Sequence, residues 1–278
     1  MLSNKVCVIT GANSGIGYET AKALAALGMY VIMVCRNEEK AEEARIQIEI
    51  ETANTSVEVV VCDFSIQHDI HVAARKIREK FDKIDILINN HGLIVSKREE
   101  TIDGLEKTFA INHMGYFLFT KLLLDPIKAA DSARIINVAS TAHQRGSFNP
   151  TNIQLEKGFS PMKAYSNSKL FNILFTMELD EQLQGSGVTA NCLHPGVIKS
   201  GFGREGSILF RLLFSLINPF KITSKQGALT TIYLATSREV EGVSGQYFVK
   251  RKKARPSLTA RNMDYAKQLW EISENLIA

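Results

Sequence analysis

KVCVITGANSGIGYETAKALAALG, residues 5–28, opens as a run of apolar and β-branched residues, breaks at a glycine-rich turn, and continues as an alanine-rich stretch with helical spacing. A strand, a tight turn and a helix in that order form the first half of a βαβ unit. Five more short apolar runs follow at 30–35, 57–62, 84–90, 133–140 and 188–195. Amphipathic stretches of helical length, such as EEKAEEARIQIEIE and KLFNILFTMELDEQL, lie among them. The runs are continuous rather than alternating, as a sheet covered on both faces requires. The expected fold is therefore α/β, a doubly wound parallel sheet with helices on both faces. No internal repeat and no Pro/Gly/Ser-rich linker divides the chain, so residues 1–278 are expected to form a single domain.

The bulk properties narrow the function classes. With 45% hydrophobic and 22% charged residues the chain can bury its own core, which excludes disordered and fibrous classes. The net charge is +4 and the cations are dispersed, apart from Lys250, Arg251, Lys252, Lys253 and Arg255. That balance leaves no nucleic-acid footprint. The cluster directly follows the last expected strand and reads as a solvated turn, with a nuclear signal or a phosphate patch as the alternatives. Cys7, Cys35, Cys62 and Cys192 lie in or beside apolar runs, without a CxxC pair or a histidine at metal-ligand spacing. Reduced, buried thiols and no metal site are expected. The sequence has no charged leader before its first strand and no apolar stretch of about 18 residues. A cytoplasmic protein, or one peripheral on a cytosol-facing membrane, is the expectation.

The turn after the first strand, TGANSGIG (10–17), suits a dinucleotide. Gly11, Gly15 and Gly17 let the backbone turn tightly and approach a pyrophosphate, and Asn13, Ser14 and Ile16 lead that phosphate to a helix N-terminus. The second strand ends in Cys35-Arg36-Asn37, where a carboxylate would hold the ribose hydroxyls of NAD. The guanidinium of Arg36 matches a 2′-phosphate instead, so NADP(H) is the expected cofactor, the plain alternative being a solvated arginine at a strand end. Asp63, in CDF with Phe64, could accept from the adenine amino group or cap a helix. Asn90 and Gly92 end the fourth strand, Asn90 fixing neighbouring main chain and Gly92 allowing close approach. His91 between them could touch the nucleotide, but a packed, satisfied imidazole is the commoner fate.

Tyr165 and Lys169 share one face at the start of the helical pattern AYSNSKLFNILF. The spacing alone decides little, since Tyr18 and Lys22 repeat it on the helix behind the glycine turn. Context separates the two pairs. Ser140 ends the fifth strand, Asn112 lies on the helix before it, and Pro195-Gly196 follow the sixth strand, all where a doubly wound sheet binds ligands. A phenol near pKa 10 is a poor acid–base group at neutral pH, and a neighbouring ammonium lowers it. In reduction Tyr165 would protonate a carbonyl oxygen as hydride arrives, with Ser140 hydrogen-bonding the same oxygen. Taken singly, Ser140 is as readily a helix cap and Asn112 a buried structural amide.

Assembled in order, TGANSGIG, CDF, NNHG, the N-x-x-G at Asn112, NVAS, YSNSK and HPGV resemble the short-chain dehydrogenase/reductase family over nearly the full length. VCRNEEKAEEA, SKLFNILFTMEL and the tail from GQYFVKRKKARPS to AKQLWEISENL are similar to its retinol dehydrogenase-like branch. The resemblance implies a Rossmann fold of about seven strands and a catalytic set of Asn112, Ser140, Tyr165 and Lys169. Asn112 would sit in a water-linked proton relay and Lys169 would also hold the nicotinamide ribose. Val197 and Ser200 join the residues expected at the cofactor, Arg36 matches the NADP-preferring pattern, and dimers or tetramers are implied. Three features depart from the family pattern: His91 stands where it usually has Ala, Ser200 where it usually has Thr, and the N-terminal membrane-anchoring helix of many retinol dehydrogenases has no counterpart in this sequence.

Residues 201–222, GFGREGSILFRLLFSLINPFKI, crowd apolar residues after a glycine-rich turn and read as an excursion near the site mouth. A lipophilic substrate lid, lined by Phe202, Phe210, Phe214 and Phe220, is one use and an amphipathic helix packed on the sheet another. Shallow membrane contact, helped by Arg204, Arg211, Lys221 and Lys225, is the third. The expected substrate is a small apolar carbonyl or alcohol of the retinoid, steroid or lipid aldehyde class. The competing readings are a catalytically silent NADP(H)-binding sensor or scaffold, and a reductase of a carbon–carbon double bond.

Overall fold

The computed structural model describes residues 2–197 and 222–277. The first half runs β1 (Val6–Thr10), α1 (Gly15–Ala26), β2 (Tyr30–Cys35), α2 (Glu38–Thr52), β3 (Val57–Val61), α3 (Gln67–Lys80) and β4 (Ile86–Asn89). Next come α4 (Lys107–Phe109), a π-helical turn (Ala110–Met114), α5 (Gly115–Leu122), α6 (Leu124–Lys128) and β5 (Arg134–Val138). The chain continues through α7 (Pro161–Gln182), β6 (Thr189–His194), α8 (Ser224–Thr236), β7 (Tyr247–Val249), β8 (Lys252–Ala254) and α9 (Met263–Asn275).

The strands form one sheet in the order β3-β2-β1-β4-β5-β6-β7-β8. All neighbours pair in parallel except β7 with β8. Successive residues of a strand point to opposite faces, so one apolar run feeds two cores. Val8, Ile32 and Val34 pack with α3, α5, α7 and α9. Cys7, Ile9, Val31 and Met33 pack with α1, α2 and α8. Both faces being covered, the polar groups that matter lie at the carboxyl ends of the strands. The order turns in opposite directions from β1 and β4, which opens a crevice between those ends. All four cysteines are free and buried. Among the described residues no helix is long and apolar enough to cross a membrane, and no cluster of His, Cys, Asp or Glu could hold a metal.

The sheet has eight strands where about seven were expected, and the difference lies in the basic cluster. Lys250 and Arg251 form a two-residue turn with φ of +51° and +64°, and Lys252–Ala254 returns antiparallel to β7. Positive φ at both central positions matches the right-handed twist of the flanking strands, which is why the turn forms without glycine. Lys252 and Lys253 are exposed on the edge strand, where charge opposes pairing with another chain. The cluster is thus half turn and half strand.

The left-handed conformation costs a non-glycine residue about 1 kcal/mol. Arg251→Gly is therefore expected to stabilise the protein by about 0.5–1 kcal/mol in urea unfolding, while Lys253→Gly, within β8, destabilises it by a similar amount.

Candidate active site

The glycine turn is shaped by its neighbours across the crevice. Gly11 has φ +66°, and a Cβ there would lie 3.0 Å from His91 Cα. At Gly17 a Cβ would come within 2.2 Å of the Gly11 carbonyl oxygen and 2.6 Å of Asn90 Nδ2, so glycine is required. Gly15, at φ +60°, faces open space. Ser14 precedes α1 in extended conformation without a side-chain capping bond, and the first turn of α1 carries no acidic residue. The partial positive charge of that helix end is left for an anion, which is what a pyrophosphate would use. Cys35, at the end of β2, supports the turn from below, its sulfur accepting the N–H groups of Ala12 and Asn13 while burial pushes the thiol up to about 11.

Arg36 is exposed at the rim, directly before α2. The α2 N-terminus is already served by the Asn37 side chain, which accepts from Lys40 N at 2.8 Å, and by Glu38 and Glu39. Asp63 does not cap α3. Its Oδ1 accepts from Ser65 N at 2.9 Å and Ser65 Oγ at 2.7 Å, and Asp103 takes the α3 amide of Gln67. The ring of Phe64 turns inward and stacks on His91 at 3.7 Å, so it faces the core and leaves its main chain for any ligand.

Asn90 donates through Nδ2 to Thr10 O at 2.9 Å and Gly11 O at 3.2 Å. His91 is the packed, satisfied imidazole that its place at a strand end suggested. Its Nε2 meets Ile111 O and its Nδ1 meets Thr10 Oγ1, both at 2.8 Å. With the carbonyl able only to accept, Nε2 carries the proton, and burial holds the ring pKa down to about 3.

Asn112 lies in the π-turn rather than a regular helix. The Gly115 N–H reaches back to Ala110 O, and the extra residue in the turn redirects the side chains. Asn112 Oδ1 accepts from Leu93 N and Nδ2 donates to Leu93 O, both at 2.8 Å, and Nδ2 also reaches Ser168 Oγ at 3.0 Å. A Cβ on Gly92 would sit 3.3 Å from Asn112 Oδ1 and 3.5 Å from Lys169 Nζ. The main chain after β4 thus runs against both side chains.

Helix α7 begins at Ser160, whose side chain accepts from Lys163 N, with Pro161 in its first turn. Tyr165 and Lys169 follow one turn apart. Lys169 is 3% exposed, donates to Val138 O at 2.9 Å, and lies 5.8 Å from the centre of the Tyr165 ring. Burial lowers its pKa to about 7. Desolvation pushes the Tyr165 hydroxyl up to about 12, with a hydrogen bond to Ser140 pulling the other way. Ser140 Oγ accepts from Ala142 N at 3.2 Å, capping a 3-10 turn at Thr141–Arg145, and also meets Tyr165. Lys22, in the second Tyr–Lys pair, is drawn to Glu19 and Glu51 on the α1–α2 side.

Pro195, Gly196 and Val197 follow β6. Gly196 has φ +104°, a Cβ there would overlap Ile222 Cδ1, and Ile222 N donates to Val197 O at 2.9 Å. The two ends of the segment between them are thereby held together. Ser200, Phe202, Arg204, Phe210, Arg211, Phe214, Phe220 and Lys221 lie outside the described residues, and Lys225 is in the first turn of α8.

Sequence reasoning missed two groups at this site. His143 Nδ1 lies 2.6 Å from Ser140 O, and His194 Nδ1 accepts from Thr141 N at 3.3 Å. The only signal for His143 was its place three residues after Ser140 in a short turn.

Comparison with known proteins gives the family. The profile of the short chain dehydrogenase family matches residues 5–207. Human retinol dehydrogenase 12 is 42% identical over 276 residues, covering 99% of this chain and 87% of that protein. An uncharacterized protein from Mycobacterium paratuberculosis superposes with a TM-score of 0.81 at 30% identity, covering 99% of this chain and 94% of that one. A short chain dehydrogenase from Escherichia coli CFT073, complexed with NADPH, has a TM-score of 0.69 at 21% identity, covering 90% and 98%. By the length of the profile match and the identity across nearly the whole chain, this protein belongs to the short chain dehydrogenase family.

Proposed function

We propose that this chain is an NADP(H)-dependent oxidoreductase acting on the carbonyl or alcohol carbon of an apolar substrate of the retinoid, steroid or lipid aldehyde class. The observation that carries the reading is the convergence of Ser140, Tyr165 and Lys169 beside Gly92 and Asn112, at the strand ends that also hold the uncapped glycine turn. When bound, NADP(H) supplies or accepts the hydride. The turn at Gly11–Gly17 would hold the pyrophosphate, Arg36 a 2′-phosphate, and Tyr165 and Lys169 the nicotinamide ribose. The substrate class draws on the likeness to retinol dehydrogenase 12. The NADP(H) preference draws on Arg36 and on the NADPH-bound relative.

Ser140 Oγ accepts the Ala142 N–H and its own proton faces Tyr165, so a carbonyl oxygen bound between the two would take that proton in place of the tyrosine oxygen. Tyr165 donates the proton that completes the alcohol. Loss of that proton leaves a phenolate beside Lys169, and the shifts of the two groups then become useful. Both arise because the pocket solvates charge poorly, one upward and one downward. A phenolate–ammonium pair relieves both, each ion replacing part of the other's lost hydration. Ser168, bridging Asn112 to Tyr165 O, keeps the Asn112 side chain registered on the same helix. None of these elements is missing, which leaves a silent sensor without a supporting observation.

Tyr165→Phe is expected to lower turnover of retinal, a steroid ketone or a medium-chain aldehyde by about 10²–10⁴-fold, with NADPH still binding by fluorescence titration. Persistent wild-type turnover in that variant would overturn the assignment. NADPH is expected to bind more tightly than NADH, and Arg36→Ala to narrow the gap by about 10–100-fold, the worth of a charge-assisted hydrogen bond; an unchanged ratio would sink the role of Arg36.

Lys169 also makes a stability prediction. Its folded pKa lies below its unfolded one, so the unfolded chain binds more protons between about pH 7 and the ordinary lysine value near 10.4. Stability rises with pH across that window, and the penalty of the buried ammonium is complete below it. Lys169→Met is expected to stabilise the cofactor-free protein at pH 6 by about 1–4 kcal/mol, with the gain shrinking towards pH 10, as chemical unfolding at both pH values would read.

A further inference from the structure

The sheet stops holding the chain one residue before Ser140. Ala139 N donates to Leu193 O at 2.8 Å, the last main-chain bond between β5 and β6 on this side. Ser140 then continues in extended conformation, φ −160°, into a 3-10 turn, a conformation with poorer hydrogen-bond geometry than an α-helix. A residue whose Oγ must meet Tyr165 thus lies where regular structure gives least support.

Two imidazoles take over there. The peptide group joining Ser140 to Thr141 is engaged at both ends, its oxygen by His143 Nδ1 at 2.6 Å beside the turn's own His143 N–H at 3.1 Å, and its N–H by His194 Nδ1 at 3.3 Å. The second nitrogen of His143 accepts from Ser257 N at 3.2 Å. A main-chain oxygen can only accept and a main-chain N–H can only donate, which determines the protons. His143 is neutral with its hydrogen on Nδ1, and His194 presents a bare Nδ1. His143 is fully buried with its ring edge-on to Tyr247 at 5.1 Å, and His194 is nearly so. His194 is also the last residue of β6, so its side chain continues the ladder where the main chain ends, immediately before Pro195 and Gly196.

We propose that His143 and His194 act as positioning residues, a two-imidazole clamp on the Ser140–Thr141 peptide that sets the Ser140 hydroxyl against Tyr165 and ties it to the C-terminal segment at Ser257. The inference rests on the carbonyl-reduction reading above for its catalytic consequence, and on the geometry alone for the clamp.

Asparagine and glutamine separate the two ring nitrogens. His143→Asn retains a side-chain donor near the Nδ1 position, whereas His143→Gln retains an acceptor towards Ser257 and loses the side-chain donor to Ser140, leaving only the main-chain N–H of residue 143 on that oxygen. The expected result is kcat within about 3-fold of wild type for Asn and a fall of about 10–100-fold for Gln, the scale of a misplacement near 1 Å, with NADPH affinity unchanged in both. Equal kcat in the two variants, or a parallel loss of kcat and NADPH binding, would overturn the clamp. Should His143→Gln fail to fold, His194→Asn, which keeps an acceptor near Nδ1, against His194→Gln gives the same comparison with the same expected ordering. A wild type that binds NADPH but reduces no carbonyl would refute the functional reading instead. Crystal structures of the His143 variants then decide the clamp, which predicts Ser140 Oγ withdrawn from Tyr165 Oη in Gln and retained in Asn.

Discussion

The site depends on the knot of hydrogen bonds between the ends of β1 and β4. Thr10 Oγ1 receives Asn90 N at 2.8 Å and His91 N at 3.2 Å, and the Asn90 amide returns to the carbonyl oxygens of Thr10 and Gly11. These bonds join the two strands from which the sheet order diverges, so they fix both walls of the crevice together. Gly17 must pass beneath the knot, which places the start of α1. On the other side Gly92 is delivered against Asn112 and Lys169. The anion-binding half and the proton-transferring half are therefore placed by the same few atoms. His91 extends the tie to Ile111, in the π-turn that carries Asn112.

A second constraint comes from the polar groups inside a sheet covered on both faces. Asn89 Nδ2 donates to Thr120 Oγ1 and Asn137 Oδ1, and Asn137 Nδ2 donates to Thr176 Oγ1. This chain of buried bonds crosses from α5 through β4 and β5 to α7. Left unpaired, each such group would cost about 1–3 kcal/mol, so the helices have little freedom to slide against the sheet. Lys169 and Asn172, on α7, both donate to Val138 O at the end of β5. The position of Tyr165 relative to Ser140 follows from that anchoring. The aromatic packing of Trp270 against Phe117 and Phe175, and the bond between His113 and Ser273, hold α9 over the outer side of the same helices.

The strands were legible because continuous apolar runs have one stable use in a chain of this length. β2 spans the expected 30–35, and the other five of those runs contain their strands with ends trimmed by one to three residues. β8 was not legible, because KRKKAR carries no apolar pattern, Ala254 being its one residue packed against the core. The π-turn was hidden because a single extra residue leaves helical periodicity almost unchanged. Asp63 could be read as a cap or a ligand acceptor, and local geometry gave its oxygen to Ser65. For His143 and His194, 51 residues separate the two positions in the chain, and nothing local to either pointed to one peptide group between them.

Taken alone, the order of residues determined the alternation of strands and helices, the glycine turn and the one-turn spacing of Tyr165 and Lys169. These are short-range consequences of side-chain periodicity and backbone sterics, written within a few residues of where they act. The tertiary structure decided what burial does to those groups: a lysine lowered to about 7, a tyrosine raised to about 12, and a serine whose peptide is engaged by two histidines. Desolvation and hydrogen-bond partnership depend on which distant segments surround an atom. Only the packed sheet and its helices determine that.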